Sequence, residues 1–133
     1  MKVSNPAAIR EAFRFLVDEF GYSISRDEEF FNEDRPYAFV IDYVGNRRRI
    51  HLNHDYKENF FYFNISIEFT TQYPNDNNLE SNIIFWKLFK HFEPSLELKT
   101  IQPDGQACEK AALVNAQFLR KYASGILRGE EWI

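Results

Sequence analysis

The chain has 133 residues, 44% of them hydrophobic and 17% aromatic, with a formal net charge of -4 at pH 7. This length and composition predict one domain that buries its own core, and they exclude a disordered chain. A mildly acidic chain lacks the basic surplus of most nucleic-acid-binding domains, so we expect no nucleic-acid partner.

The single cysteine, Cys108, excludes a disulfide within the chain and favours a reducing compartment. The first residues, MKVSNPAAIREAF, have no apolar signal-peptide core, and nowhere do about 18 apolar residues run together. We therefore expect a cytoplasmic protein with no membrane contact, and no pattern of ligands predicts a cofactor.

An amphipathic helix is predicted over about residues 6 to 20. Asn5 can cap it, Pro6 suits its first position, and Gly21 can end it in the left-handed conformation. Its apolar stripe at helical spacing consists of Ile9, Phe13, Leu16 and Phe20.

Residues 22 to 26 alternate weakly and favour a short edge strand. The segment that follows, DEEFFNEDR, is acidic and ends before Pro36, which disfavours a helical residue ahead of it. We interpret residues 27 to 34 as a loop.

Residues 37 to 69 predict three antiparallel strands. A type II′ turn at Gly45 would place Asp42 opposite Arg49, and a four-residue turn after His54 would place Leu52 opposite Phe61. Side chains alternate between the faces of a sheet. One face collects Phe39, Ile41, Tyr43, Ile50, Leu52, Phe61, Phe63, Ile65, Ile67 and Phe69. The other collects Val40, Asp42, Arg49, His51, Asn53, Tyr62, Asn64, Ser66 and Glu68.

Two further helices are expected. The first, from about 79 to 92, is apolar around most of its circumference, so it is either deeply buried or covers a partner, and it offers a homodimer contact. The second starts near Asp104 and ends at Arg128-Gly129. Its inward stripe is Ala107, Ala111, Val114, Phe118 and Tyr122. The fold class is α+β, a single domain with helices packed on the apolar sheet face.

The polar sheet face is one candidate site, for a small enzyme or a ligand-binding domain. Its members are Asp42, Arg49, His51, Tyr62, Asn64 and Glu68. The competing interpretation is ordinary cross-strand pairing on a solvated face. His51 and His54 lie three residues apart on a strand and point to opposite faces, so no metal site is expected.

The acidic segment with two adjacent phenylalanines is the other candidate, for binding a protein. Hydrophobic anchors inside a charged rim are typical of interface hot spots. The proposed contact residues are Asp27, Glu28, Glu29, Phe30, Phe31, Glu33 and Asp34. The alternative is that the two rings fold back over the core as a lid.

The order of the elements resembles a group of small bacterial domains. The features are a first helix ending in FGY, an aromatic meander and a terminal QFLRKYASGILRGEEW. Some members are immunity proteins that neutralise a cognate toxin by binding it. The resemblance implies a non-enzymatic protein that blocks a partner, such as a basic toxin domain, and it assigns no functional residue.

Overall fold

The computed structural model describes residues 6–55, 60–67, 82–97 and 108–132, and the elements below belong to those ranges. The helices are α1 (Pro6–Ala12), α2 (Phe15–Asp18), α3 (Phe85–Phe92), α4 (Cys108–Tyr122) and α5 (Ser124–Leu127). The strands are β1 (Ser23–Asn32), β2 (Arg35–Gly45), β3 (Arg48–Asp55), β4 (Phe60–Ile67) and β5 (Asn82–Ile84). They form an antiparallel sheet in the order β1-β2-β3-β4-β5, so the predicted α+β class is confirmed.

The first predicted helix exists as two short pieces, α1 and α2, separated by a turn at residues 13 and 14. Ile9, Phe13 and Leu16 are fully buried, as the apolar stripe predicted. Gly21 has a φ of 75°, which confirms the left-handed end. The predicted cap, Asn5, lies outside the described residues.

The strand register differs from the prediction by two residues. Asn46 and Arg47 have φ values of 49° and 65°, so the turn is of type I′ and begins one residue later than expected. Asp42 therefore faces His51 instead of Arg49. Likewise Leu52 faces Phe63 and not Phe61.

The predicted division of the sheet into two faces is nevertheless right, because an even shift leaves every side chain on its own face. Eight members of the apolar face are at most 1% exposed: Phe39, Ile41, Tyr43, Ile50, Leu52, Phe61, Phe63 and Ile65. Ile67 is half-buried, and Phe69 lies outside the described residues. Helical side chains from Ile9 to Leu127 complete one buried cluster with this face.

The loop predicted over residues 27 to 34 is wrong. Residues up to Asn32 continue β1, and only Glu33 and Asp34 form the turn that leads to β2. Acidic residues have low strand propensity, but this segment pairs with β2 along its length, and that pairing outweighs the local preference.

The helix predicted over 79 to 92 is wrong in its first part. Ile83 and Ile84 belong to β5, and the helix begins at Phe85. Without those isoleucines α3 is an amphipathic helix that buries Phe85, Leu88 and Phe89 inside this chain. The monomer thus accounts for most of the apolar excess on which the predicted homodimer rested, and the dimer stays a prediction.

Helix α4 buries a different stripe of residues than the one predicted for this part of the chain. Its buried residues are Ala111, Ala112, Asn115, Ala116 and Leu119. Phe118 and Tyr122 are only partly buried because they pack sideways on α3. Their rings lie 5.4 Å from Phe89 and 5.9 Å from Phe92, respectively. Of the predicted stripe, Ala107 lies outside the described residues.

The type I′ turn allows a matched pair of substitutions. Arg47→Gly removes a left-handed non-glycine residue and creates Asn-Gly, the preferred sequence for this turn, so we expect a gain of about 0.5 to 1 kcal/mol in the free energy of unfolding. Asn46→Gly should instead cost about 1 to 2 kcal/mol, because the Asn46 amide donates hydrogen bonds to Phe20 O (2.8 Å) and Leu127 O (2.9 Å). Urea denaturation measures the free energy of unfolding of both variants. Equal changes in the two variants would contradict the assignment of a type I′ turn held by the Asn46 side chain.

Candidate functional site

One surface of interest is the outer side of β1. This strand of ten residues pairs with β2 on one side, and no strand among the described residues pairs with it on the other. All its side chains are exposed or half-buried. An open strand edge presents backbone N–H and C=O groups that another chain can bind. We call this strand and its turn to β2, residues 23 to 35, the β1 edge.

Strand alternation divides the predicted acidic residues between two sides of the β1 edge. Asp27 and Glu29 face the helices, because their cross-strand neighbours Ile41 and Phe39 belong to the buried face. Glu28 lies on the opposite side. The predicted contact residues of β1 therefore do not all lie on the same side of the strand.

Two of these acids already hold arginine partners. Arg10 donates two hydrogen bonds of 2.7 Å to the Asp27 carboxylate, which raises the pKa of the guanidinium above its ordinary value. Arg26 donates one of 2.9 Å to Glu28. Each arginine also lies over a phenylalanine ring: Arg10 over Phe39 at 5.1 Å and Arg26 over Phe30 at 5.3 Å.

The two adjacent phenylalanines have different surroundings. Phe30 is half-buried, with its ring 6.1 Å from that of Tyr37. Phe31 is 54% exposed and Tyr37 is 46% exposed. Neither phenylalanine joins the buried cluster, so they do not form a lid over the core.

An open depression of about 410 Å³ lies at the turn end of β1 and β2, lined by Phe31, Asn32, Tyr37 and Asp55. Next to it, Glu33 and Asp34 form the turn, and Glu33 adopts a φ of 58°. Sequence reasoning missed Asn32, Tyr37 and Asp55 as members of this surface, because their proximity depends on the pairing of β1, β2 and β3.

The polar face of the sheet carries a second cluster. His51 Nδ1 donates to Asp42 Oδ1 at 2.5 Å, and the two residues lie directly opposite each other on β3 and β2. Tyr62 lies beside the imidazole at 6.4 Å between ring centres. Both side chains of the pair are partly shielded, with 29% of His51 and 15% of Asp42 exposed. A carboxylate in this position sets the tautomer and orientation of the imidazole.

The other predicted polar-face residues are only partly brought together. Asn64 donates to the Oδ1 atom of Asn82 at 2.6 Å. Arg49 faces Val44 and Ser66 instead of Asp42. Glu68 lies outside the described residues. Asn82 is 1% exposed and was missed because it fell in the predicted helix.

The Asp42–His51 pair has the form of a base oriented by a carboxylate, an arrangement that can serve proton transfer. Among the described residues, no serine, threonine or cysteine hydrogen-bonds to this imidazole. His54 is buried on the opposite face, which confirms that the two histidines do not converge. Within the same ranges, no three His, Cys, Asp or Glu side chains gather in a way that would hold a metal ion.

The run of three arginines does not form a basic patch. Arg47 is exposed in the turn and Arg49 is half-buried on the polar face. Arg48 is 6% exposed, and it donates hydrogen bonds to Ile126 O at 3.1 Å and Glu131 O at 2.8 Å. Its burial lowers the pKa of the guanidinium below its ordinary value. Its role is to hold the C-terminal segment.

Comparison of the chain with protein-family models, with curated proteins and with solved structures finds no match. None of the described helices has the length and apolar character needed to cross a membrane.

Proposed function

We propose that this chain is a non-enzymatic protein-binding domain that blocks its partner by covering it, as bacterial immunity and antitoxin proteins do. The observation that carries the proposal is the β1 edge. It contains a strand of ten residues, and no other strand among the described residues pairs with the outer side of that strand. Adding a strand to such an edge is a common way for one protein to bind another, because main-chain hydrogen bonds supply affinity and side chains supply specificity.

The exposed apolar side chains support the same surface. Ile24 is 48% exposed and Phe31 is 54% exposed, and both lie on β1, while Tyr37 at 46% lies on the neighbouring strand. Exposed aromatic side chains at a strand edge provide the desolvated contacts that hold a complex together.

Charge indicates the kind of partner. The net charge of -4 and the acidic turn of Glu33 and Asp34 favour a basic partner, such as a toxin domain that acts on nucleic acid. Complementary charge mainly accelerates association and excludes wrong partners, while the apolar contacts slow dissociation. Glu33 and Asp34 would accelerate association with the basic partner in this way.

The first test is capture of the partner by the tagged protein from a lysate of its source, followed by kinetics. The double variant Glu33→Lys/Asp34→Lys should slow association at low salt by about tenfold and flatten its dependence on ionic strength. The matched control is Glu11→Lys/Asp18→Lys, which changes the net charge equally but lies on α1 and α2. Equal slowing by both variants would show steering by net charge alone and place the interface elsewhere.

A second candidate is a ligand-binding or enzymatic role of the polar face around Asp42, Arg49, His51 and Tyr62. The observation that favours it is the 2.5 Å contact between His51 and Asp42. A thermal-shift screen with metabolites separates the two candidates, because a small-molecule ligand stabilises the folded state by mass action. A hit that disappears in His51→Gln would favour the polar face.

A further inference from the structure

The charged and aromatic side chains of β1 follow one another in a directional order. One basic residue comes first, then three acids and two aromatic residues: Arg26, Asp27, Glu28, Glu29, Phe30 and Phe31. From Arg26 to Phe30 every residue has its own partner on β2, and the two irregularities of this pairing lie at the ends of that stretch. The stretch therefore has the regular pleat that a further strand can extend.

The outer side of this stretch is accessible. Within the described ranges no strand pairs with it, and the side chains from Ser23 to Glu28 are exposed. Every second residue of a strand directs both its N–H and its C=O group to the same side, so residues 26 to 31 offer about six backbone groups to an added strand. The side chains of that strand would lie directly opposite those of β1, so their order determines which sequence fits.

A second copy of this chain does not suit the edge. Identical strands that pair antiparallel about a twofold axis bring the same segment of both copies together at the axis. Pairing of β1 along its whole length would set Asp27, Glu28 and Glu29 of one copy against the same acids of the other. Like charges directly opposite each other are destabilising, so the occupant is a strand of different sequence.

The ion pairs within the chain leave Asp27 and Glu28 able to bind further cations. Arg10 donates two hydrogen bonds to Asp27, and Arg26 donates one to Glu28. The Glu28 side chain remains 50% exposed, and a carboxylate accepts about four hydrogen bonds. Ion pairs between exposed side chains are weak, so cations of a partner can share these carboxylates. Glu29 has a further interaction within the chain, and no partner cation is assigned to it.

We propose that the β1 edge binds an antiparallel strand of the partner that contains, in order, two apolar residues, one uncharged residue, two basic residues and one acidic residue. The apolar residues lie opposite Phe31 and Phe30, the basic residues opposite Glu28 and Asp27, and the acidic residue opposite Arg26. This inference rests on the proposed function, because it specifies the strand by which the partner is bound.

The direction of the added strand follows from the sheet. Neighbouring strands are antiparallel throughout, and antiparallel pairing is slightly more stable per residue than parallel pairing. Adjacent side chains lie on opposite faces, so the two basic residues place one cation on each face of the sheet. One of them meets Glu28 on the polar face and the other meets Asp27 on the face that carries the helices. A parallel strand would need the reverse sequence.

Two peptides of identical composition test this order in an NMR titration of the whole chain. The matched peptide is acetyl-Thr-Val-Val-Thr-Lys-Lys-Glu-Thr-amide, and the control is its reverse, acetyl-Thr-Glu-Lys-Lys-Thr-Val-Val-Thr-amide. We expect backbone shifts along residues 26 to 31 and about tenfold tighter binding of the matched peptide, because the reverse peptide loses several cross-strand pairs. Equal binding of the two peptides, or no binding of either at millimolar concentration, would overturn the inference.

N-methylation of the matched peptide separates backbone pairing from charge attraction. Methyl groups on alternate residues remove the N–H donors along one side of the bound strand. The set that faces β1 should abolish binding, while the other set faces solvent and should leave the affinity within about twofold. Retention of binding with both sets would contradict strand addition.

A charge exchange on β1 tests the assigned positions without changing the net charge. Arg26→Glu/Glu28→Arg exchanges the members of an exposed ion pair of 2.9 Å and should weaken binding of the matched peptide by about tenfold. A peptide with the corresponding exchange, acetyl-Thr-Val-Val-Thr-Glu-Lys-Lys-Thr-amide, should restore it. The control is Arg14→Asp/Asp18→Arg, which exchanges an exposed ion pair of 3.0 Å at α2 and should leave binding unchanged. Equal weakening by both exchanges would overturn the inference.

The same exchange separates this inference from the proposed function. If a captured partner binds Arg26→Glu/Glu28→Arg as tightly as the original chain, the assigned strand is wrong while the protein-binding function stands. If the peptides bind with the expected selectivity but no partner is captured, the proposed function fails and the strand site stands by itself.

Discussion

Replacing Phe63 with alanine is expected to lower the free energy of unfolding by about 4 kcal/mol, the largest loss we expect from any single substitution discussed for this chain. Phe63 is fully buried on the apolar face of β4, and its ring lies near rings from the first helical region and from α3. The ring centres of Phe13, Phe85 and Phe89 lie 6.2, 5.9 and 5.6 Å away. Truncation leaves a cavity between elements that are far apart in sequence, so nearby side chains cannot easily fill it.

Urea denaturation monitored by circular dichroism measures this loss, with two comparison variants. Phe63→Leu keeps most of the volume and should cost about 1 to 1.5 kcal/mol. Phe31→Ala is the same chemical change at a position that is 54% exposed, and it should cost no more than about 0.5 kcal/mol. Similar losses at the two alanine positions would contradict the packing of β4 against α3.

Replacing Arg48 with methionine is expected to cost about 2 to 3 kcal/mol of stability. Its guanidinium donates to Ile126 O and Glu131 O and lies 5.1 Å from the Trp132 ring. Without it Glu131 O loses this donor and Ile126 O keeps only the hydrogen bond from the Gly129 N–H at 3.0 Å, while relief of the desolvation of a buried cation offsets part of the loss. Lysine should restore only part of the stability, because one ammonium cannot reproduce the forked donors.

The matched control for Arg48 is Arg128→Met. Arg128 belongs to the same C-terminal segment, but its side chain is 60% exposed and its ion pair with Glu130 is long, at 3.9 Å. We expect a change within about 0.5 kcal/mol for this variant. Hydrogen exchange of residues 126 to 132 adds a local measurement, and protection of this segment should fall in Arg48→Met and be retained in Arg128→Met. Unchanged protection in Arg48→Met would contradict the anchoring role.

Residues other than Arg48 also hold the C-terminal segment in place. Tyr22 donates its hydroxyl to Leu127 O at 2.7 Å, and Asn46 donates to the same carbonyl oxygen. Gly129, with a φ of 76°, lies so close to the turn that an added Cβ would collide with the carbonyl oxygen of Asn46. The C-terminal LRG sequence thus closes the fold against the β2–β3 turn, which gives a structural reason for its glycine.

The candidate sites show the limit of reasoning from sequence. Phe30 and Phe31 stand out in the sequence as exposed aromatic residues among acids, and Phe31 is indeed exposed. The grouping of Phe31 with Tyr37 and Asp55 could not be predicted, because it depends on a bulge in the β1–β2 pairing and on the position of β3. Asp42 and His51 were placed on the same face, but their direct pairing required the true register.

The sequence by itself determined the α+β class and the division of the central strands into an apolar and a polar face. Both follow from local periodicity: apolar residues recur every three or four positions in a helix and every second position in a strand. That signal survives a register error of two residues, since an even shift does not exchange the faces. The buried stripe of Ile9, Phe13 and Leu16 was predicted in the same way.

Only the tertiary structure decided the roles of segments whose local signal was weak or mixed. Residues 27 to 32 became a strand because β2 offered a pairing edge, and Ile83 joined β5 because β4 offered another. Arg48 became a buried anchor because the C-terminal carbonyls lie where its side chain points. In each case the deciding partner is remote in sequence, and its contribution outweighs the residue's own propensity.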